Sequence, residues 1–251
     1  MDQVASTAST NPGLSQIERF VCAFTAPSRT FEDIRHGHRS WWMPFLVLSL
    51  LSYVLFAVVA QRIGIDQTVQ NQIRMSPRTQ EQMSQATPEQ IEKAQNFWGN
   101  FTEVMFFAAP ALGLLYAVVI AAVFLGTINF AFGGRAGFAE MLAIIYYAWL
   151  PQALQLIMGM IVLWFQPPET FNIKNFAPTN PAALLLDPAT SSQTLYAFAS
   201  QLDVVTLWTL VLFSIGISTV AGVKRSSGYI TVFGWWVMVV IYKVGMAAAF
   251  G

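Results

Sequence analysis

Few side chains in this sequence combine reactive chemistry with a setting that could use it. Lys243 stands in an otherwise uncharged stretch, with 17 uncharged residues separating it from Arg225 and eight residues following it. An ammonium donates three hydrogen bonds and accepts none, so a lysine held in apolar surroundings suits an anionic group such as a lipid phosphate. Gln152 and Gln155 lie 12 and 15 residues past Glu140 in another apolar stretch, just after Tyr146 and Tyr147. Lys243, Gln152, Gln155, Tyr146 and Tyr147 together define a candidate polar pocket. The alternative for Lys243 is that its four-carbon stem snorkels to the membrane surface, towards Asp203. Glu140 opens its stretch five residues after Arg135, where a carboxylate lies at headgroup level and favours the positive end of a helix dipole.

No other chemistry is spelled out. HExxH, GxSxG and P-loop patterns are absent, Cys22 is the only cysteine, and the two histidines, His36 and His38, are too few for most catalytic metal centres. No catalytic, cofactor-binding or metal-ligating residue is expected, and no enzyme activity.

The residues that could act must be positioned by apolar helices. Of 251 residues, 55% are hydrophobic and 10% charged, against about 25% charged in a soluble domain. Thirteen basic residues balance thirteen acidic ones without forming a basic stripe, which argues against a nucleic-acid partner. Uncharged windows between Arg39 and Arg62, Glu103 and Arg135, Glu140 and Glu169, and Asp203 and Lys224, with a last one after Arg225, each meet the roughly 20 residues that a helix needs to cross a bilayer. The windows are continuously apolar instead of alternating, which excludes a transmembrane barrel. The expected fold is all-α: a polytopic transmembrane bundle of five helices, with spans at about 42–60, 104–130, 141–165, 204–223 and 229–250 and a short N-terminal interfacial helix. Residues 1–13 are expected as a disordered tail and 14–251 as one membrane domain.

Leu14, Ile17, Phe20, Val21 and Phe24 fall at helical spacing, and Ser15 with Glu18 fits a capping box. This helix either lies on the headgroups or packs against the bundle. Ser76-Pro77 and Thr87-Pro88 each pair an N-cap with a proline at the first helical position, and a helix from Thr87 could run straight into the second span. The proline-rich loop from Gln166 to Leu202 is expected to be irregular. Arg19, Arg29, Arg35, Arg39, Arg135, Lys224 and Arg225 flank the spans on one side, against Arg62, Arg74, Arg78, Lys93 and Lys174 on the other. The excess places the N-terminus in the cytoplasm and the C-terminus outside. No cleavable signal peptide is expected, since residues 1–13 hold neither a basic stretch nor an apolar h-region.

Two ordered motifs are familiar. Phe24-x-x-Pro27-x-x-x-Phe31-x-x-Ile34 followed by Trp41-Trp42-x-Pro44, and then Glu140 leading through Tyr146-Tyr147-Ala148-Trp149 to Pro151, resemble the bacterial branch of the Yip (Ypt-interacting protein) domain family. The resemblance covers roughly Ser15 to Phe250, with the glutamine-rich first outer loop as an insertion. It implies a self-associating integral membrane protein, here of a bacterial inner membrane. Eukaryotic members bind prenylated Rab GTPases and act in vesicle traffic. An acidic-aromatic segment of Leu-x-Gly-Pro character, typical of those relatives, is missing from residues 1–41, so that role is not carried over. The expected function is a non-enzymatic scaffold or membrane-organising, trafficking-type factor. The alternative is a small transporter, channel or lipid-handling protein with a midplane pocket around Lys243. The expected partners are the lipid bilayer, further copies of the chain or other membrane proteins, and an anionic lipid; no cofactor is expected.

Overall fold

The computed structural model describes residues 13–250; the expected disordered tail, Gly13 excepted, lies outside them. The described residues form helices and no strand. Five helical segments are long and apolar enough to cross a membrane: Trp42–Arg62, Pro88–Ala131, Phe138–Val162, Val204–Ala221 and Arg225–Phe250. The architecture is an all-α polytopic bundle.

The chain opens with α1 (Gln16–Thr25) and α2 (Pro27–Arg35). The capping box forms: the Ser15 hydroxyl accepts from the Glu18 amide at 3.2 Å and Glu18 accepts from the Ser15 amide at 2.9 Å. Hydrogen bonding to its carboxylate, by the Ser15 amide foremost and then by the Ser15 hydroxyl, holds the Glu18 carboxyl below its ordinary range. Ala23, Phe31 and Ile34 are fully buried in the bundle while Ile17 and Val21 stay exposed. The N-terminal segment thus packs against the bundle with one face and leaves a second apolar face outside. The end of the bundle that carries it is termed proximal, the other distal.

Helix α3 (Trp42–Arg62) has 21 residues, about 32 Å at 1.5 Å per residue, which matches a hydrocarbon core of about 30 Å. At the distal end come α4 (Ile65–Arg74) and α5 (Pro77–Ser84), then α6 (Pro88–Gly126). Ser76 and Thr87 cap α5 and α6 with a proline following each. The 39 residues of α6 reach about 58 Å, so its first turns stand clear of the bilayer before the helix crosses it. Pro110 lies inside α6 without ending it. A π-helical turn, Thr127–Ala131, closes the span. Here the Asn129 side chain donates to the Ala136 carbonyl at 3.0 Å and accepts from the Ala136 amide at 3.2 Å, fixing the tight return.

The third crossing is broken into α7 (Phe138–Ala148) and α8 (Pro151–Val162). Pro151 has no amide hydrogen to continue the ladder, and the Gln152 amide bonds back to the Trp149 carbonyl at 2.8 Å. The distal loop holds α9 (Pro181–Leu185) and α10 (Gln193–Gln201). Helices α11 (Val204–Ala221) and α12 (Arg225–Phe250) complete the bundle. The α7–α8 and α11 crossings are mostly buried, whereas α3, α6 and α12 form an outer ring whose apolar faces are exposed to lipid.

The two distal loops are pinned together by Asn71, which is fully buried and donates to the carbonyls of Pro168 (2.7 Å) and Phe171 (3.0 Å). Truncation to Ala leaves both carbonyls without this donor, a loss of about 1–3 kcal/mol. Limited proteolysis is expected to cut Asn71→Ala within 166–176 faster than it cuts the parent protein there. Equal cutting in the two proteins would show that the clamp contributes nothing.

Candidate functional site

A cleft of about 540 Å³ lies between α6, α8, α11 and α12. Helix α12 packs along α10 and α11 and meets the π-turn at the end of α6, where Trp235 donates to the Thr127 hydroxyl at 2.9 Å. Along α12 the cleft runs distally from Val232 to Lys243. Its deep wall is apolar, formed by Phe124, Phe213, Val232 and Trp236; its distal mouth is polar, formed by Lys243, Lys174, Gln201, Asn175 and Asp203. From Val232 to Lys243 is about 16 Å along a helix, half of the hydrocarbon thickness.

Three of the five pocket residues expected from sequence, Lys243, Gln152 and Gln155, line this cleft. The break at Pro151 starts the helix that carries both glutamines. Lys243 bonds to neither glutamine: it donates to the Gln201 side chain at 3.1 Å and is otherwise exposed. Gln155 donates to Asp203 at 3.1 Å and to the Thr179 hydroxyl at 3.0 Å, and Thr179 in turn donates to Asp203. Asp203 also caps α11, accepting from the Thr206 amide at 2.7 Å. This carboxylate is 3% exposed, and none of the ion pairs among the described residues includes it.

Tyr146 and Tyr147 sit elsewhere. Tyr146 stacks on Trp41 at 5.2 Å and meets Phe45 edge-on. Tyr147 is fully buried, donates to Gln16 at 3.1 Å and lies under the Arg19 guanidinium at 5.7 Å. Tyr146 faces the start of α3 and Tyr147 faces α1, and neither lines the cleft.

Most of the motif residues build that proximal platform instead of the cleft. Phe24 meets Trp208 edge-on at 5.8 Å, Pro27 starts α2, Phe31 is fully buried, and Pro44 is buried at the start of α3. Trp42 is exposed, in the position of an interface anchor. Glu140 accepts from the Gly137 amide at 2.6 Å and pairs with Arg39 at 2.8 Å. Beneath these lies a buried ion pair, Arg19 with Asp33 at 2.6 Å.

Asp203, Thr179, Gln201 and Lys174 were not singled out as pocket residues by sequence reasoning. Asp203 directly before an apolar run carries the signal of an N-cap. Its role in a polar mouth depends on Thr179, 24 residues upstream in an irregular loop, and no periodicity reports that contact.

Among the described residues there is no group of three or more His, Cys, Asp or Glu side chains able to hold a metal ion. Five apolar crossings, one broken at a proline, with the paired N-terminal helices packed along α11 and α7, define a polytopic integral membrane protein. The Yip1 domain profile matches residues 21–247, and the chain belongs to that family. No curated protein and no solved structure gives a significant match.

Proposed function

We propose that this Yip1-domain protein is a non-enzymatic, lipid-handling membrane protein that takes an anionic amphiphile into the α6–α12 cleft. The observation behind this reading is the cleft's own polarity. Two ammonium groups, on Lys243 and Lys174, stand at its mouth above about 16 Å of apolar wall. That is the arrangement expected for a phosphate headgroup over an acyl chain. We place the protein in a bacterial inner membrane with the proximal end cytoplasmic, on the basic excess there.

Native mass spectrometry of the protein released from mild detergent tests the reading. A co-purifying lipid mass is expected on the parent protein and is expected to be largely lost from Lys243→Met. A parent spectrum of bare protein, or a lipid equally retained by the variant, would remove the reading.

A second reading, a scaffold or trafficking-type factor, draws on the proximal platform. Ile17 and Val21 are exposed on α1, beside Arg29 and Arg35 of α2. An amphipathic helix with such a face lies in a headgroup layer or meets a partner helix. Self-association would use the lipid-facing sides of the outer ring.

A further inference from the structure

We propose that the cleft selects a phospholipid whose headgroup carries a primary ammonium as well as a phosphate, that is, an ethanolamine-type glycerophospholipid. The proposal rests on the lipid-handling reading and goes beyond it by naming the headgroup.

The argument starts from the charge left over at the mouth. Lys243 gives one of its three hydrogens to Gln201, so two remain for a phosphate, and Lys174 lines the same opening. A mouth selecting only for negative charge would hold no carboxylate, yet Asp203 lines it too. Its three donors are neutral: the Thr206 amide on Oδ1, and Gln155 and the Thr179 hydroxyl on Oδ2. A carboxylate has about four acceptor positions, so Oδ1 keeps one free. The start of α11 favours the charge, but a buried carboxylate without a cation is costly unless a partner arrives. A ligand ammonium supplies that partner while the ligand phosphate meets the two lysines.

A second observation points into the same cleft. Thr209 lines the cavity, and its buried hydroxyl has no hydrogen-bond partner. Asp203, Thr206 and Thr209 follow at intervals of three on α11, so Thr209 lies about 9 Å below the carboxylate. That is the depth at which a glycerolipid presents its ester carbonyls, and the hydroxyl can donate to one. Soluble phosphoesters of ethanolamine share the headgroup chemistry but have neither ester carbonyl nor chain.

The test uses the full chain, delipidated in detergent and titrated with dioleoyl phosphatidylethanolamine, phosphatidylcholine, phosphatidylglycerol and chain-free glycerophosphoethanolamine, with native mass spectrometry as readout. Asp203→Asn preserves the cap, since Asn caps helices as well as Asp does. The parent protein is expected to bind phosphatidylethanolamine about tenfold more tightly than phosphatidylglycerol or phosphatidylcholine, a margin set by one charge-assisted contact. Asp203→Asn is expected to bind phosphatidylethanolamine and phosphatidylglycerol alike, and Thr209→Val to weaken all the lipids without changing their order. Lipid binding without headgroup preference, or with a preference unchanged in Asp203→Asn, overturns the headgroup assignment and leaves the lipid reading standing. No lipid bound at all, or glycerophosphoethanolamine bound as tightly as the lipid, overturns both.

Discussion

Gly228→Leu is expected to destabilise the protein by about 1–3 kcal/mol, the cost of overpacking a close contact, and to release whatever occupies the cleft. Near the start of α12, a Cβ added at Gly228 would run into the Ser214 carbonyl oxygen and the Ser218 side chain of α11. Because one of these is backbone, no rotamer change relieves the clash, and the two helices must part. Small residues at crossings of this kind let membrane helices approach closely where the hydrophobic effect supplies no drive. Gly234 and Gly245 lie further along the same helix with open space around the Cβ position, so Gly234→Leu and Gly245→Leu serve as controls. Both are expected to leave stability unchanged or to raise it slightly, since Gly is about 0.8–1.0 kcal/mol worse than Ala in a helix. Thermal unfolding in detergent, followed by tryptophan fluorescence, separates the three variants. If Gly228→Leu unfolds at the temperature of the controls, the α11–α12 crossing does not hold the bundle. The functional consequence follows from leverage. Lys243 lies 15 residues beyond Gly228, about 23 Å along α12. A tilt at the crossing therefore moves its ammonium away from Gln201 and opens the cleft.

The same pair of helices shows which parts of the molecule local sequence encodes. Apolar windows bounded by charges mark all five crossings, because lipid demands about 20 apolar residues wherever a helix passes. The Ser15–Glu18 box, the Ser76 and Thr87 caps and the break at Pro151 also lie within a few residues of their causes, so they are legible. Pairing between distant segments is not. Gly216-Ile217-Ser218 marks α11 as a close-packing helix, but not that Gly216 accommodates Phe31 and Ile144 while Ser214 and Ser218 accommodate Gly228. Lys243 could be identified as unusual, and Gln152 and Gln155 placed at matching depth, by counting along the spans. Tyr146 and Tyr147 matched them in type, yet the direction of each ring is set by packing on the start of α3 for Tyr146 and on α1 for Tyr147. The rest of the mouth comes from Lys174, Asn175, Gln201 and Asp203, brought together by a proline-rich loop whose course has no period to read.

Asp33→Ala is the second substitution expected to have a large effect, and it isolates the proximal platform from the cleft. Asp33 is 8% exposed, accepts from Arg19 Nε at 2.7 Å and from the Leu14 amide at 3.0 Å, and lies 3.0 Å from His38 Nδ1. Arg19 is 2% exposed; its Nη2 also reaches the Leu14 carbonyl at 3.2 Å, and its Nη1 has no partner. Removing the carboxylate leaves a guanidinium buried without a counter-ion, a loss of about 3–5 kcal/mol in comparable pairs. The loss should be local. Since α1 is held to α2 through this pair and to α7 through the Arg19–Tyr147 stack and the Gln16–Tyr147 bond, hydrogen exchange is expected to accelerate from Leu14 to Thr25. Amides of α11 and α12 should keep their protection. Replacing both charges, Arg19→Met with Asp33→Leu, removes the unpaired charge along with the pair and is expected to restore most of the stability. The double variant thereby separates the two possible roles of the pair. If the single variants are destabilised and the double variant is not, the pair fixes how α1 sits on the bundle without supplying net stability. Exposure of Ile17 and Val21 on α1 then depends on an arrangement that one substitution undoes. If Asp33→Ala leaves exchange at Leu14 to Thr25 unchanged, the Gln16–Tyr147 and Thr30–Arg19 bonds and the burial of Phe31 and Ile34 hold the platform without the ion pair.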